Sequence, residues 1–492
     1  MHDPVDDAQE QSAESERLRI RYLATGDMRD IASAVQLGRR ALAAARDISF
    51  RGVVAFRLGT ALAILYEATG KPATLDEARR HLETAMRTVP AEHEDHPQVW
   101  MNAGLTRLRQ YSRTGDLADL QAAIDQLRQG VAMYPDTDPR RPNAYSNLAG
   151  ALRRRYEVTG LLPDLHQAIA FSRSAIAGTD APQAMMLASL TGSLVARFRE
   201  TSDKSDLAEA LAHGREAERA APPGNPARWS VLNVLASAHE LQFETTGALD
   251  SLNRAVECQR EIVGMLPDEH PEAVLHYLGL ASSLRTRFER MGVAHDLDQA
   301  IAAAKRGHEV ASEDLVRRQA AAQLAMLLQL QAAERQAASD FPGAIAACDA
   351  ALALTKRALA STPAHNVERP DLLTIAGNLR MTRYQVSHDP DDARAGVRAY
   401  QDALDACAPG NRHRPVILSN LGYALLQAPA DRATDQLERS ISTLREAVRG
   451  CDGKGPAWAQ AACNLSVALI RRYERSKTDA DRIEALTLCR EV

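Results

Sequence analysis

"LRRRYEVTGLLPDLHQAI", residues 152–169, places Tyr156 eight residues ahead of Asp164. The same interval separates Tyr22 from Asp30, Tyr66 from Thr74, Tyr111 from Asp119, Phe198 from Asp206 and Phe243 from Ser251. It returns in Phe288/Asp296, Tyr384/Asp392 and Tyr473/Asp481. Taking the short polar residue as origin, the series continues through Asp340 and, approximately, Gln436. Most steps are 44 or 45 residues, with one of 42 and one of 52. A fixed period of this length is the signature of stacked supersecondary units.

Each slot in the frame has a physical reading. Asp, Ser and Thr at the origin suit a helix N-cap, and Thr74 with Glu77 reads as a capping box. Four residues on stands Ala34, Ala78, Ala123, Ala168, Ala210, Ala255, Ala300 or Ala344, a small residue that lets a partner helix approach. Upstream, Leu148, Ala149, Leu152 and Tyr156 form an apolar stripe of helical period. Gly26, Gly70, Gly115, Gly160, Gly247 and Gly292, four before the origin, suit the left-handed turn that ends the first helix. Turns such as YPDTDPRRPN and LPDEHPE stop the second helix. The expectation is an all-α chain, an α-solenoid of about eleven helix-turn-helix repeats.

Composition agrees with this reading. The chain has 492 residues, 45% hydrophobic and 25% charged, with only 4% aromatic. A core of Ala and Leu with one ring per repeat follows, and it favours helix. The formal charge of −5 argues against a nucleic-acid partner, and no apolar run approaches a membrane span. Residues 1–16 carry six acids and no Lys or Arg, and read as a disordered acidic tail without signal-peptide character. Six cysteines without CxxC spacing read as reduced, mostly buried thiols, Cys451 and Cys463 included, in a cytoplasmic protein.

The stretches RRYEVTGLLPDLHQAI, QFETTGALDSLNRAV and TRFERMGVAHDLDQAI resemble long tetratricopeptide-repeat (TPR) arrays of actinobacteria and filamentous fungi. Such arrays often precede a caspase-like CHAT protease domain or follow a nucleotide-binding signalling domain. The resemblance implies a right-handed superhelix with a peptide-binding concave groove. On this frame residues 17–314 hold regular repeats, 315–455 degenerate ones, and 456–492 an incomplete terminal repeat. Ala332 and Ala428 take the ring slot in the degenerate part. Asp481 is expected to cap the last helix. Because Leu486 and Cys489 would then lie on a bare stacking face, the chain is expected to be a fragment or to be completed by another segment.

No catalytic constellation emerges. HEDHP (93–97) lacks zinc spacing, and GCDGKGP (450–456) is not a phosphate loop. The expectation is a non-catalytic scaffold with no cofactor and no metal, binding a protein or peptide, with a downstream or partner protease domain as a further partner. It would serve as the sensor or regulatory arm of a signalling or proteolytic effector. The alternative is an N-terminal fragment of a CHAT-type protease whose catalytic domain lies beyond residue 492.

Two slots bear on binding. Arg or Gln precedes the ring in ten of eleven repeats, among them Arg21, Arg155, Arg197 and Gln242. It serves either as a structural hydrogen bond or as a donor ladder for an acidic ligand. The positions 11 and 14 before the origin vary freely, as a recognition surface on a fixed scaffold would. The candidate groove residues are Ser146, Arg153, Asn233, Ser237, Glu240, Ser282 and Arg285.

Overall fold

A computed structural model describes the whole chain except residues 1–3, 181, 226, 269, 271, 365, 367, 409, 410, 412, 430–432, 452 and 492. Of residues 4–6, 433 and 434 it describes the backbone alone. Among the described residues no strand occurs, and 22 helices follow one another as eleven helix-turn-helix pairs. Two compact units divide them, Met1–Ser251 and Leu252–Val492.

The first unit holds α1 (Pro4–Thr25) with α2 (Met28–Ala44), α3 (Ile48–Thr69) with α4 (Pro72–Thr88), and α5 (His96–Thr114) with α6 (Leu117–Met133). It continues with α7 (Arg141–Thr159), α8 (Leu162–Ala177), α9 (Ala184–Thr201), α10 (Lys204–Ala220) and α11 (Arg228–Thr246). The boundary falls in the first turn of α12 (Leu249–Met265). The second unit then runs through α13 (Ala273–Met291), α14 (Ala294–Val310), α15 (Asp314–Ala337), α16 (Phe341–Ala360) and α17 (Arg369–Ser387). It ends with α18 (Pro390–Ala406), α19 (Arg414–Gln427), α20 (Ala433–Arg449), α21 (Pro456–Ser476) and α22 (Asp479–Glu491). Within each unit, odd-numbered helices pack on the even helix that follows and on the next odd helix.

The core is the one the frame anticipates. All eight alanines of the small slot, Ala34 to Ala344, are 0% exposed. Tyr111, Tyr156, Phe198, Phe243 and Phe288 are buried, while Tyr22, Tyr66, Tyr384 and Tyr473 are half-buried. The ring's distance from the loop has a backbone cause. The Gly160 N–H donates to the Tyr156 carbonyl at 2.7 Å, and Gly160 sits at φ 68°. The same bond recurs from Gly26, Gly70, Gly115, Gly247 and Gly292 to the carbonyls of their aromatic residues.

Three repeats hold this left-handed position without glycine, at Ser202 (φ 56°), His388 (φ 54°) and Lys477 (φ 57°). A Cβ there is strained by about 1–2 kcal/mol, part of which glycine's greater unfolded-state freedom offsets. Ser202→Gly is therefore expected to raise the unfolding free energy by about 0.5–1 kcal/mol. Gly160→Ala should lower it. Denaturant midpoints test both, and a loss of stability in Ser202→Gly would refute the account.

Four expectations need correction. The origin residue is not the N-cap. Caps stand three residues earlier, where Asp27, Asp116, Asp203 and Asp389 accept a backbone N–H two residues on. Asp30, Asp119, Asp206 and Asp392 lie inside the first turn, and Asp481 likewise sits within α22. Thr74 is inside α4, and Glu77 binds Arg39 instead of closing a capping box. Asp340 alone of the origin aspartates is a true cap, accepting from the Gly343 N–H.

Second, the acidic tail is helical from Pro4, because Ala8, Ser12 and Ser15 recur on one face and are buried. Ser15 donates to the Ala34 carbonyl at 2.7 Å. Residues 1–3 lie outside the described residues. Third, α3 is long and apolar enough to cross a membrane, with a mean hydropathy of 1.6 over its window. Here it packs as a core helix, with Val54, Ala55, Leu58 and Leu62 fully buried. Fourth, Cys258, Cys348 and Cys407 are buried as expected, but Cys451 is only half-buried and Cys463 is exposed.

Candidate functional site

The polar residue before the ring is where sequence left two readings open. In the structure the donors of its six arginines are already engaged. Arg155 grips Asp164 with Nε and Nη2, at 2.6 and 2.5 Å, and its Nη1 donates to Gln121 of the preceding repeat at 2.6 Å. Arg287 does the same with Asp296 and Asn253, and Arg472 with Asp481 and Glu438. Arg197 holds Asp206, Arg383 holds Asp392, and Arg21 holds Asp30. In the sixth repeat the same two positions are joined without charge and with the donor reversed, Ser251 donating to Gln242 at 2.9 Å. Each clamp ties the end of one helix to the first turn of the next. That is why an acid stands eight residues past the ring.

The bond from Arg21 holds the Asp30 carboxyl below its ordinary range. Asp30 therefore stabilises the fold above its unfolded pKa, and that contribution disappears as pH falls through the lower folded value.

Two further ladders escaped the sequence reading. Nine residues past the origin, Arg39, Arg128, Arg173 and Arg445 reach the next even helix, at Glu77, Gln167, Glu209 and Glu484. Arg260 reaches Gln299 in the same way. Arg228, Arg317 and Arg369 donate to carbonyls just past the end of the preceding even helix, at Ala221, Ala311 and Thr362. Cations at helix C-termini satisfy orphan carbonyls. His96 of the HEDHP stretch does so too, 3.1 Å from the Val89 carbonyl. Among the described residues no cluster of metal-ligating side chains forms.

Of the seven candidate groove residues, three converge. Arg153 from α7 and Asn233 and Ser237 from α11 line one cavity of about 270 Å³. Gly192, Val195, Ala196 and Arg199 of α9 supply its middle wall. Arg153 pairs with Glu157 one turn on, yet its Nε is buried without a hydrogen-bond partner. Tyr156 donates to Glu200 at 2.7 Å across the same cavity. Two arginines and two glutamates balance, so the cavity does not select for an anion. Carboxamide, hydroxyl and guanidinium around a Val195/Val234 wall suit a peptide segment, with donors and acceptors for backbone amides.

The other four candidates lie elsewhere. Ser146 is half-buried on α7, and Glu240 is half-buried on α11; neither lines the cavity. Ser282 is exposed on α13 in the second unit. Arg285, also on α13, has its Nε 3.8 Å from Glu289.

No family model matches the chain, and no curated protein matches it. Among solved structures, the apo form of the quorum sensor NprR from B. thuringiensis is 15% identical over 82% of this chain and 99% of that one, with a TM-score of 0.47. A human IFIT1 dimer with m7Gppp-AAAA is 14% identical, covers 99% of this chain and 93% of that one, and has a TM-score of 0.40. A tetratricopeptide repeat protein from Parabacteroides merdae ATCC 43184 is 14% identical over 65% of this chain and 98% of its own, with a TM-score of 0.34. The paired helices, the buried small slot and the repeated loop clamp make this chain a TPR-like helical-repeat protein.

Proposed function

We propose that this chain is a non-catalytic scaffold that binds a protein or peptide partner on its odd-numbered helices. The observation that carries the reading is the convergence of Arg153, Asn233 and Ser237 on one cavity across three successive odd helices. Clamps and ladders occupy the arginines that hold the frame, whereas the Arg153 Nε keeps an unused buried donor. An unmet donor in a partly dry cavity gains most from a ligand carbonyl. We further propose that the protein works in the cytoplasm as the sensor or regulatory arm of a signalling or CHAT-type proteolytic effector. That proposal rests on the sequence resemblance.

The test is a paired capture and footprint. Partners retained by the native chain are compared with those retained by Arg153→Glu/Asn233→Ala. The variant should lose a specific partner at least about 10-fold, as expected when a charged donor to the ligand is removed. Its thermal unfolding should stay unchanged. Hydrogen exchange with that partner should slow across α7, α9 and α11. Protection confined to even-numbered helices or loops would sink the proposal.

A further inference from the structure

The second compact unit holds a pocket of a different kind. Between α15 and α17 lies a cavity of about 290 Å³ whose apolar lining is Ala322, Met326, Leu372 and Ile375. Polar bridges join the two helices toward both of their ends. At one end Arg318 and Gln319 donate to Glu368, at 3.2 and 3.3 Å. At the other, Gln329 donates to Thr382 at 3.3 Å. Between these bridges the lining is mostly apolar, with Gln323 and Asp371 as its polar members; Gln323 is already spent on the Leu278 carbonyl at 2.9 Å.

The sequence frame shows why this slot is unusual. Fourteen residues before the origin, Thr60, Gly150, Gly192, Ser237, Ser282 and Asn378 are small or polar, Leu105 and Val467 are branched apolar residues, and this repeat alone places a methionine, Met326. Its side chain is 39% exposed. A flexible, polarizable methionine at a cleft mouth adapts to varied apolar side chains. The volume lies at the lower edge of ligand pockets, which run about 300–1,000 Å³, so it suits one or two side chains of a peptide rather than a whole cofactor. On the rim, Asp371 is exposed and forms no ion pair among the described residues. Glu368 beside it already holds Arg318. The unpaired acid selects for a cation next to the apolar anchor.

We infer that this pocket takes an apolar side chain, Leu or Met in size, from a peptide segment that carries Lys or Arg beside it. The inference rests on the reading of the chain as a binding scaffold. It does not rest on the Arg153 cavity, which lies in the other compact unit.

The experiment follows the Met326 methyl signal of methyl-13C-methionine protein, assigned by Met326→Leu. The probes are three acetylated, amidated tripeptides, Lys-Leu-Lys, Lys-Ser-Lys and Glu-Leu-Glu. Lys-Leu-Lys should shift the signal saturably, with a dissociation constant on the order of millimolar for so small a ligand. The other two should leave it in place. Asp371→Asn should weaken Lys-Leu-Lys about 2–5-fold, the range of an exposed ion pair. Ala322→Leu should fill the slot and abolish the shift, while Arg153→Glu should not alter it. No shift with Lys-Leu-Lys, or an equal shift with Lys-Ser-Lys, overturns the inference and leaves the Arg153 site standing. A stronger response to Glu-Leu-Glu overturns the charge assignment.

Discussion

Tyr156→Ala is expected to lower the stability of the first compact unit by about 3–5 kcal/mol, the cost of removing a buried aromatic ring. The ring is 8% exposed and packs with Leu165, Ile169 and Leu194 in one core cluster. Phe243→Ala, in a ring 7% exposed, should cost about as much. Tyr156→Phe separates packing from polarity. It removes only the bond to Glu200, and should cost about 1 kcal/mol. Because repeats are stabilised chiefly through neighbouring interfaces, hydrogen exchange should accelerate in α7 and α8 and also in α9 and α10. A Tyr156→Ala cost below about 1 kcal/mol, with exchange unchanged in α9, would mean that the ring is a spectator and that the frame has another cause.

Much of this architecture was legible because it is periodic. The small slot is nearly all Ala and wholly buried, since a helix crossing tolerates no larger side chain there. Close approach is also visible at Gly422, where a Cβ would meet Leu444 Cγ at 2.4 Å. The helix start was misplaced by three residues for a definite reason. Asp27/Asp30, Asp116/Asp119, Asp203/Asp206 and Asp389/Asp392 put two acids one turn apart, and both positions favour negative charge at a helix N-terminus. Residue type alone cannot rank them. The arginine nine residues earlier could have done so, because a carboxylate held by a guanidinium is not free to cap. The even-helix ladder of Arg39, Arg128, Arg173, Arg260 and Arg445 was present in the frame and went unread.

The site was less legible than the fold. Arg153, Asn233 and Ser237 converge because α7 and α11 flank α9, a three-dimensional relation that sequence spacing only hints at. Ser282 and Arg285 satisfy the same spacing rule and belong to another compact unit. A variable slot identifies positions that the fold leaves unconstrained; it does not identify which of them share a cavity.

Breaking one loop clamp is the second large effect expected. In Arg155–Asp164 the Asp164 side chain is 5% exposed and the Arg155 side chain 17%. Asp164→Ala strands a mostly buried guanidinium with Gln121 as its remaining partner, and the expected loss is about 3–5 kcal/mol. Removing both charges should cost far less. The sixth repeat already joins the same two positions without charge, Ser251 donating to Gln242. Arg155→Gln/Asp164→Ser transplants that pair, and should recover most of the loss. The double-mutant cycle should then show a coupling of about 2–3 kcal/mol, well above additive behaviour. That coupling should change little with salt, because exposed pairs are screened and this one is largely shielded. The exposed Arg254–Glu257 pair supplies the contrast, with a coupling of about 0.2–0.5 kcal/mol that salt erodes. If Asp164→Ala costs no more than that surface pair, the clamp is an ornament of the loop. The conserved spacing of ring, glycine and acid within this chain would then have to be assigned to helix packing alone.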